Sequence, residues 1–97
     1  MNPNDLHGYY YDPTGFGEGY VDTNDKGLVL EVGATHFRLE HLGGLSFVAH
    51  SQAPYFEKRQ FRLQWYLDHE GRPSYFATDQ GAVFSLLKKT KGARNAA

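Results

Sequence analysis

The most regular alternation of apolar and polar side chains lies between residues 60 and 68. Because successive side chains of a β-strand point to opposite faces, this period of two predicts a strand with one buried face. The apolar positions of the pattern are Phe61, Leu63, Trp65 and Leu67. Turn residues follow at 69–73, so residues 74–77 are predicted to run back as the second strand of a hairpin.

A helix is predicted after this hairpin, over residues 79–91. Thr78 and Asp79 have the composition of a helix start, and the apolar residues between 82 and 87 fit a helical spacing. Lysines near the end of the segment suit the helix dipole, whereas Gly81 is its one weak position. The predicted apolar face, which we expect to pack against Trp65, consists of Val83, Phe84 and Leu87.

The first half of the chain carries shorter strand patterns separated by polar or glycine-rich turns. They lie at residues 17–22, 28–32, 36–41 and 45–50, with a short edge strand at 9–11. The predicted fold is mainly β (a β-rich α+β class): a six- to seven-stranded antiparallel barrel or bent sheet pair capped by one C-terminal helix. Residues 1–8 are predicted to be a flexible N-terminus, 9–91 a single domain, and 92–97 a flexible tail.

This order of elements resembles the pleckstrin-homology-like superfold, including its GRAM-type members. Residues 27–31 look like its second strand, 42–48 like the strand after a short polar break, and 74–87 like the last strand running into the capping helix. The resemblance covers about Phe16 to Lys91 and implies a bent antiparallel barrel that serves as a scaffold for protein contacts. Members that bind phosphoinositides use basic residues at the first hairpin loop. The matching turn here, residues 22–26, is acidic, which argues against binding to acidic phospholipids.

Composition supports one β-rich domain and leaves its charge unevenly divided. The 97 residues include seven Phe, seven Tyr and one Trp, which favour strands, and no cysteine, which excludes disulfides and thiolate chemistry. Residues 1–50 hold seven acidic and two basic residues, whereas residues 51–97 hold eight basic and four acidic residues. This split indicates either a bipolar surface or charges that cancel when the halves pack together.

Targeting and cofactor signals are not evident in the sequence. The N-terminus has neither the basic nor the apolar region of a signal peptide, and no apolar run approaches the ~20 residues of a membrane span. A cytoplasmic location is therefore expected. His36 and His41 would face opposite sides of one strand, so no metal site is predicted. No nucleophile with a base and an orienting group can be named, and we expect neither an enzyme nor a cofactor.

Aromatic residues interleaved with basic ones suggest an alternative function in single-stranded nucleic-acid binding. The candidate residues for base stacking and phosphate contact are Arg62, Tyr66, Arg72 and Tyr75. The sequence pI of about 6.5 and the acidic first half argue against such binding, because it depends on pairing of cations with phosphates. A second alternative is a small-molecule or enzymatic pocket at the barrel mouth.

The leading hypothesis is a small non-enzymatic binding module that contacts another protein or a second copy of itself, in which case a dimer forms. Tyrosine at an edge or in a loop is a common anchor of protein interfaces. Two aromatic clusters are the candidate contact sites, unless they fold back over the barrel: Tyr9, Tyr10 and Tyr11 in the first, and Tyr55 and Phe56 in the second.

Overall fold

The computed structural model of the chain describes residues 3–25, 27–52 and 59–90. These residues form one short 3-10 helix, Pro3–Leu6, followed by eight β-strands. The strands are β1 (Gly8–Asp12), β2 (Gly17–Asn24), β3 (Gly27–Val32), β4 (Thr35–Gly43), β5 (Ser46–Ser51), β6 (Gln60–Leu67), β7 (Pro73–Thr78) and β8 (Val83–Lys89).

The eight strands close into an antiparallel barrel in which each strand pairs with the next along the chain. Closure comes from β1 and β8, which pair over Gly8↔Lys89 to Tyr11↔Ser85. A closed barrel leaves no free sheet edge along its circumference. The predicted mainly β, antiparallel architecture is therefore confirmed, although the barrel has eight strands where the sequence indicated six or seven.

The predicted C-terminal helix is wrong for residues 83–89, which form strand β8. A tight turn precedes the strand: the amides of Gln80 and Ala82 donate to the Thr78 hydroxyl, and Gly81 has a φ of 85°. This left-handed backbone cannot continue a right-handed helix. The chain therefore reverses, and β8 pairs with β7 on one side and β1 on the other.

The barrel interior is filled by side chains that surround Trp65, which is completely buried. The ring of Trp65 lies 4.7 Å from that of Phe76, 5.4 Å from that of Phe47 and 6.1 Å from that of Tyr10. Of the predicted helix face, Phe84 alone enters this core, where it stacks on Phe76 at 4.8 Å. The other two members of that face, Val83 and Leu87, are exposed.

The N-terminal segment closes one end of the barrel. Leu6 is 1% exposed, and its carbonyl accepts a hydrogen bond of 2.8 Å from the buried hydroxyl of Tyr10. His7 is also buried and contacts the hydroxyl of Thr23 through Nε2. The structure therefore places residues 3–8, predicted to be flexible, in a 3-10 turn and the start of β1. The predicted tail at 92–97 lies outside the described residues.

Candidate functional site

Tyrosine side chains form two neighbouring groups on the outer surface. Of the seven tyrosines, Tyr55 lies outside the described residues and Tyr10 lies in the core. The remaining five lie on four strands, β6, β7, β1 and β2. Tyr66 opposes Tyr75 and Tyr9 opposes Tyr20, whereas Ser85 of β8 lies between Tyr75 and Tyr11. We refer to these residues, Tyr9, Tyr11, Tyr20, Tyr66 and Tyr75, as the tyrosine face.

The tyrosine face combines exposed rings with rings fixed by stacking. Tyr11 is 43% exposed and Tyr66 is 40% exposed. The rings of Tyr66 and Tyr75 are stacked, with centroids 4.8 Å apart and an angle of 16° between their planes. The small side chain of Ser85, which opposes both Tyr75 and Tyr11, leaves a gap between the two halves of the face.

A cleft of about 430 Å³ lies beside the tyrosine face and is open to solvent. We call it the β2 cleft, because β2 and the turn before it contribute half of its lining. Tyr20 opposes Glu31 on β3, and Glu31 opposes His36 on β4, so the cleft crosses neighbouring strands. Its lining residues are Tyr9, Phe16, Glu18, Gly19, Tyr20, Glu31, Gly33 and His36.

Gly33 helps to open the β2 cleft. The β2–β3 ladder ends at Gly19↔Val32, and the residues that come next beyond this last pair, Glu18 and Gly33, both line the cleft. A Cβ at this position would meet no atom within 4 Å, and its φ of 59° favours glycine. Gly33 therefore leaves open space at its own position in the lining of the cleft.

The polar groups of the β2 cleft are partly fixed by their neighbours. Glu31 Oε1 lies 3.4 Å from His36 Nδ1, and the side chain of Glu31 is 19% exposed whereas that of His36 is 60% exposed. The hydroxyl of Tyr20 contacts the carboxylate of Asp22 at 3.4 Å. Burial, followed by the negative charge of Asp22, raises the pKa of Tyr20 above its ordinary value.

The structure separates the first predicted contact cluster. Tyr10 is completely buried, so its prediction as a surface contact is wrong. The reason is the alternation of β1, in which Tyr10 points into the barrel whereas Tyr9 and Tyr11 point outward. The second cluster, Tyr55 and Phe56, lies outside the described residues.

The residues predicted for nucleic-acid binding are brought together only in part. Tyr66 and Tyr75 stack on each other, and Arg62 lies exposed on the same strand as Tyr66. Arg72 lies in the turn after β6, where its guanidinium pairs with the carboxylate of Glu70.

Sequence reasoning missed the cleft residues Glu18, Tyr20 and Glu31. Alternation along a strand indicates that Glu18 and Tyr20 share one face of β2. It does not indicate that Tyr20 lies between Tyr9 and Glu31, because that arrangement depends on the register between strands.

The described part of the chain contains neither a cluster of metal-binding side chains nor a membrane-spanning helix. Within residues 3–25, 27–52 and 59–90, no three His, Asp or Glu side chains are grouped so that they could hold a metal ion. In the same part of the chain, no helix has the length and hydrophobicity needed to cross a membrane.

Comparisons with family models, with curated proteins and with solved structures gave no match. The pleckstrin-homology-like resemblance therefore remains a prediction from the order of elements. The capping helix that contributed to it is strand β8 in this barrel.

Proposed function

We propose that the protein is a small non-enzymatic binding module that holds a partner protein on its tyrosine face. The observation that carries this proposal is the arrangement of five outward tyrosines on β6, β7, β1 and β2, two groups that are separated on the barrel surface only by Ser85 of β8. Tyrosine offers a large contact area and a polar tip at a small cost in conformational entropy, and it is enriched at the centres of protein interfaces.

The packing of the barrel favours binding on the surface over binding in the interior. Trp65, Tyr10 and Phe76 are fully buried and occupy the centre of the barrel. A ligand that entered the barrel interior would have to displace these aromatic rings, and losing the packing of one large buried aromatic side chain costs about 3–5 kcal/mol. This packing supports the binding module over the alternative of a pocket at the mouth.

Exposed apolar surface extends the tyrosine face on β8. Val83 is 43% exposed and Leu87 is 62% exposed, and Val83 lies on the outward row that continues from Ser85. Apolar side chains beside tyrosines are typical of the central part of a protein interface. The partner is either another protein or a second copy of this chain, and the cytoplasm is the compartment predicted from the sequence.

The proposal is tested with the double variant Tyr11→Ser/Tyr66→Ser. We expect it to fold as the wild type does, because both side chains are exposed, and to lose at least about tenfold in affinity, since a hot-spot residue contributes about 2 kcal/mol or more. Affinity purification from native cells with quantitative mass spectrometry identifies partners, and sedimentation velocity measures self-association. The matched control is Leu42→Ser, which removes a 50% exposed side chain at the end of β4. Equal effects of the variant and the control, or no effect of either, would contradict the proposal.

The stacked pair Tyr66–Tyr75 supports a second candidate function, the binding of single-stranded nucleic acid. Bases stack on aromatic rings, and Arg62 on the same strand could contact a phosphate. Arg72 is less suited to this role because it is paired with Glu70. Fluorescence anisotropy with short oligonucleotides at low salt decides the matter: binding that is lost in Tyr66→Ser and Arg62→Gln supports this candidate, and no binding at tens of micromolar removes it.

A further inference from the structure

The β2 cleft has an aromatic wall whose position is fixed. The rings of Tyr9 and Tyr20 lie with their centroids 4.5 Å apart at an angle of 32°. Tyr20 is only 4% exposed, so its ring has little freedom to move. Tyr9 is the more exposed of the two, and Tyr20 supports it from behind. A flat cation placed against the ring of Tyr9 is attracted by its negative face, and a ring held in place loses little conformational entropy on binding.

Two carboxylates border the same cleft. Glu31 is directly opposite Tyr20, and Glu18 is two residues before Tyr20 on β2, so the two acids are diagonal neighbours across the ladder. Diagonal neighbours on one face are about 7–8 Å apart along the backbone and somewhat closer at Cβ, so two long side chains at these positions can reach the same flat cation. The lining of the cleft contains neither lysine nor arginine. The nearest cation along the ladder, Lys88, opposes Tyr9 from the other side, on β8.

The surrounding charge has the same sign as the cleft. Because strand order follows the chain, the acidic half of the sequence forms one side of the barrel, β1–β4, and the excess of basic residues lies in the other half. Outward acids on β2, β3 and β4 include Glu18, Asp22, Glu31 and Glu40, against Arg38 alone among the lysines and arginines described in these strands. Such an arrangement attracts cations to the cleft and repels phosphates.

We propose that the β2 cleft binds the guanidinium group of an arginine side chain presented by the partner protein. This inference rests on the proposed function for the identity of the partner, but the cleft itself can be tested without it. The guanidinium would lie against the ring of Tyr9, which Tyr20 supports, and donate hydrogen bonds to the carboxylates of Glu18 and Glu31. The contact of Glu31 Oε1 with His36 Nδ1, at 3.4 Å, would be retained or exchanged for the guanidinium.

Arginine fits these features better than lysine does. A guanidinium is planar, stacks on aromatic faces, and presents several N–H donors in a fixed fork, which allows it to reach two carboxylates at once. A lysine ammonium is compact and strongly hydrated, and it would have to lose that hydration to contact the rings. Gly33 contributes no side chain to the cleft and has open space around it, which leaves room in the lining for the wider group.

The test is an NMR titration of ¹⁵N-labelled protein with N-acetyl-arginine amide. We expect concentration-dependent shifts of the backbone amides of Gly19, Tyr20 and Gly33, which line the cleft. N-acetyl-citrulline amide, which has nearly the same shape and no charge, and N-acetyl-lysine amide are titrated in parallel, and both are expected to bind more weakly. Glu18→Gln and Glu31→Gln should each weaken arginine binding roughly tenfold, as loss of one charge-assisted hydrogen bond implies.

The matched control is Glu40→Gln, which removes an outward carboxylate of β4 that pairs with His50 away from the cleft. It should leave the titration unchanged, and the spectra themselves show whether each variant is folded. Equal shifts with citrulline, lysine binding as strong as arginine binding, or full binding by the Glu18→Gln/Glu31→Gln variant would each overturn the assignment. The titration needs no partner, so arginine binding in the cleft would still be established if the tyrosine-face test failed. Conversely, a negative titration would contradict the arginine site without contradicting partner binding through the tyrosine face.

Discussion

Tyr10 forms a polar connection at the centre of an apolar interior. Trp65 Nε1 donates to the Tyr10 hydroxyl at 3.0 Å, and that hydroxyl donates to the Leu6 carbonyl at 2.8 Å. Three groups that would otherwise be buried without partners are satisfied by this chain of two hydrogen bonds. The chain also joins the N-terminal turn to β1 and β6, so one side chain fixes the position of the segment that closes the barrel.

Replacing Tyr10 with phenylalanine is expected to lower the free energy of unfolding by about 1–3 kcal/mol, the cost of leaving a buried donor without its acceptor. Urea unfolding followed by Trp65 fluorescence measures this loss. The control is Tyr11→Phe, which removes a hydroxyl from a ring that is 43% exposed and should change stability little. Similar values for the two variants would show that the buried hydrogen bonds are not the cause.

Tyr10 should also make the protein sensitive to alkaline pH. Burial raises the pKa of Tyr10 to about 12, although its hydrogen bond from Trp65 opposes the shift. Because the unfolded state loses this proton at a lower pH than the folded state, the stabilisation is complete below pH 10 and is lost as the pH rises towards about 12. Urea unfolding as a function of pH should show this decline, and Tyr10→Phe should make it shallower. An identical slope in the variant would contradict the assignment.

Asp12 should give the opposite dependence at acidic pH. Its carboxylate accepts hydrogen bonds from the hydroxyl and amide of Thr14 and from the amide of Phe16. These bonds, led by that of the Thr14 hydroxyl, lower the pKa of Asp12 below 3.8. The stabilisation is therefore present above the ordinary carboxyl pKa and is lost as the pH falls through the lowered value. Thermal unfolding between neutral and acidic pH should show a loss that is smaller in Asp12→Asn, with Asp25→Asn as the control.

At the scale of single elements, β8 shows why an apolar pattern can indicate the wrong structure. Ala82, Val83, Phe84, Leu86 and Leu87 satisfy a helical spacing, but Phe84 and Leu86 also satisfy the alternation of a strand. The turn before β8 decides between them, because the Thr78 hydroxyl accepts the amides of Gln80 and Ala82. Local sequence predicts a turn or a helix start here equally well, since threonine and aspartate suit both.

Gly81→Ala distinguishes the two structures directly. In a helix, alanine at this position would stabilise the protein by about 1 kcal/mol. In the observed turn, where φ is 85°, we expect alanine to lower the free energy of unfolding by about 1–2 kcal/mol. No atom lies within 4 Å of the added Cβ, so the effect reports backbone strain without steric overlap. Urea unfolding gives the sign, and a stabilised variant would contradict strand β8.

The strands that the sequence predicted best were those with a polar turn on each side. The hairpin of β2 and β3, strands β4 and β5, and the regular strand β6 lie where alternation placed them, within a few residues. The candidate site was predictable only in part. If β1 is taken as a strand with one buried face, alternation places Tyr9 and Tyr11 outside the barrel and Tyr10 inside it. The neighbours of each tyrosine depend on register between strands, which a single chain's periodicity does not contain.

At the scale of the whole molecule, the meander order of the strands turns the uneven charge distribution of the sequence into an uneven distribution of charge on the surface. Each strand lies beside its neighbours in the chain, so the outward acidic residues of β2–β4 and the described basic residues of β6 and β8 lie on different sides of the barrel. Of the two interpretations of the charge split, this arrangement favours a bipolar surface. The tyrosine face spans the boundary, since it contains residues of β6 and β7 as well as β1 and β2.

The pairing of β1 with β8 makes the first and last strands neighbours in the barrel, like any other two consecutive strands. Gly8 opposes Lys89, so the two ends of the strand sequence are as close as any two consecutive strands. A circular permutant that joins the ends with a short glycine-serine linker and opens the chain at the Gly43–Gly44 turn should therefore fold into the same barrel. Its spectrum should retain the wild-type signals of Trp65 and of the β2 cleft. In this permutant, β8 and β1 would be consecutive strands joined through the linker. The pairing of β4 with β5 would then be the one that closes the barrel.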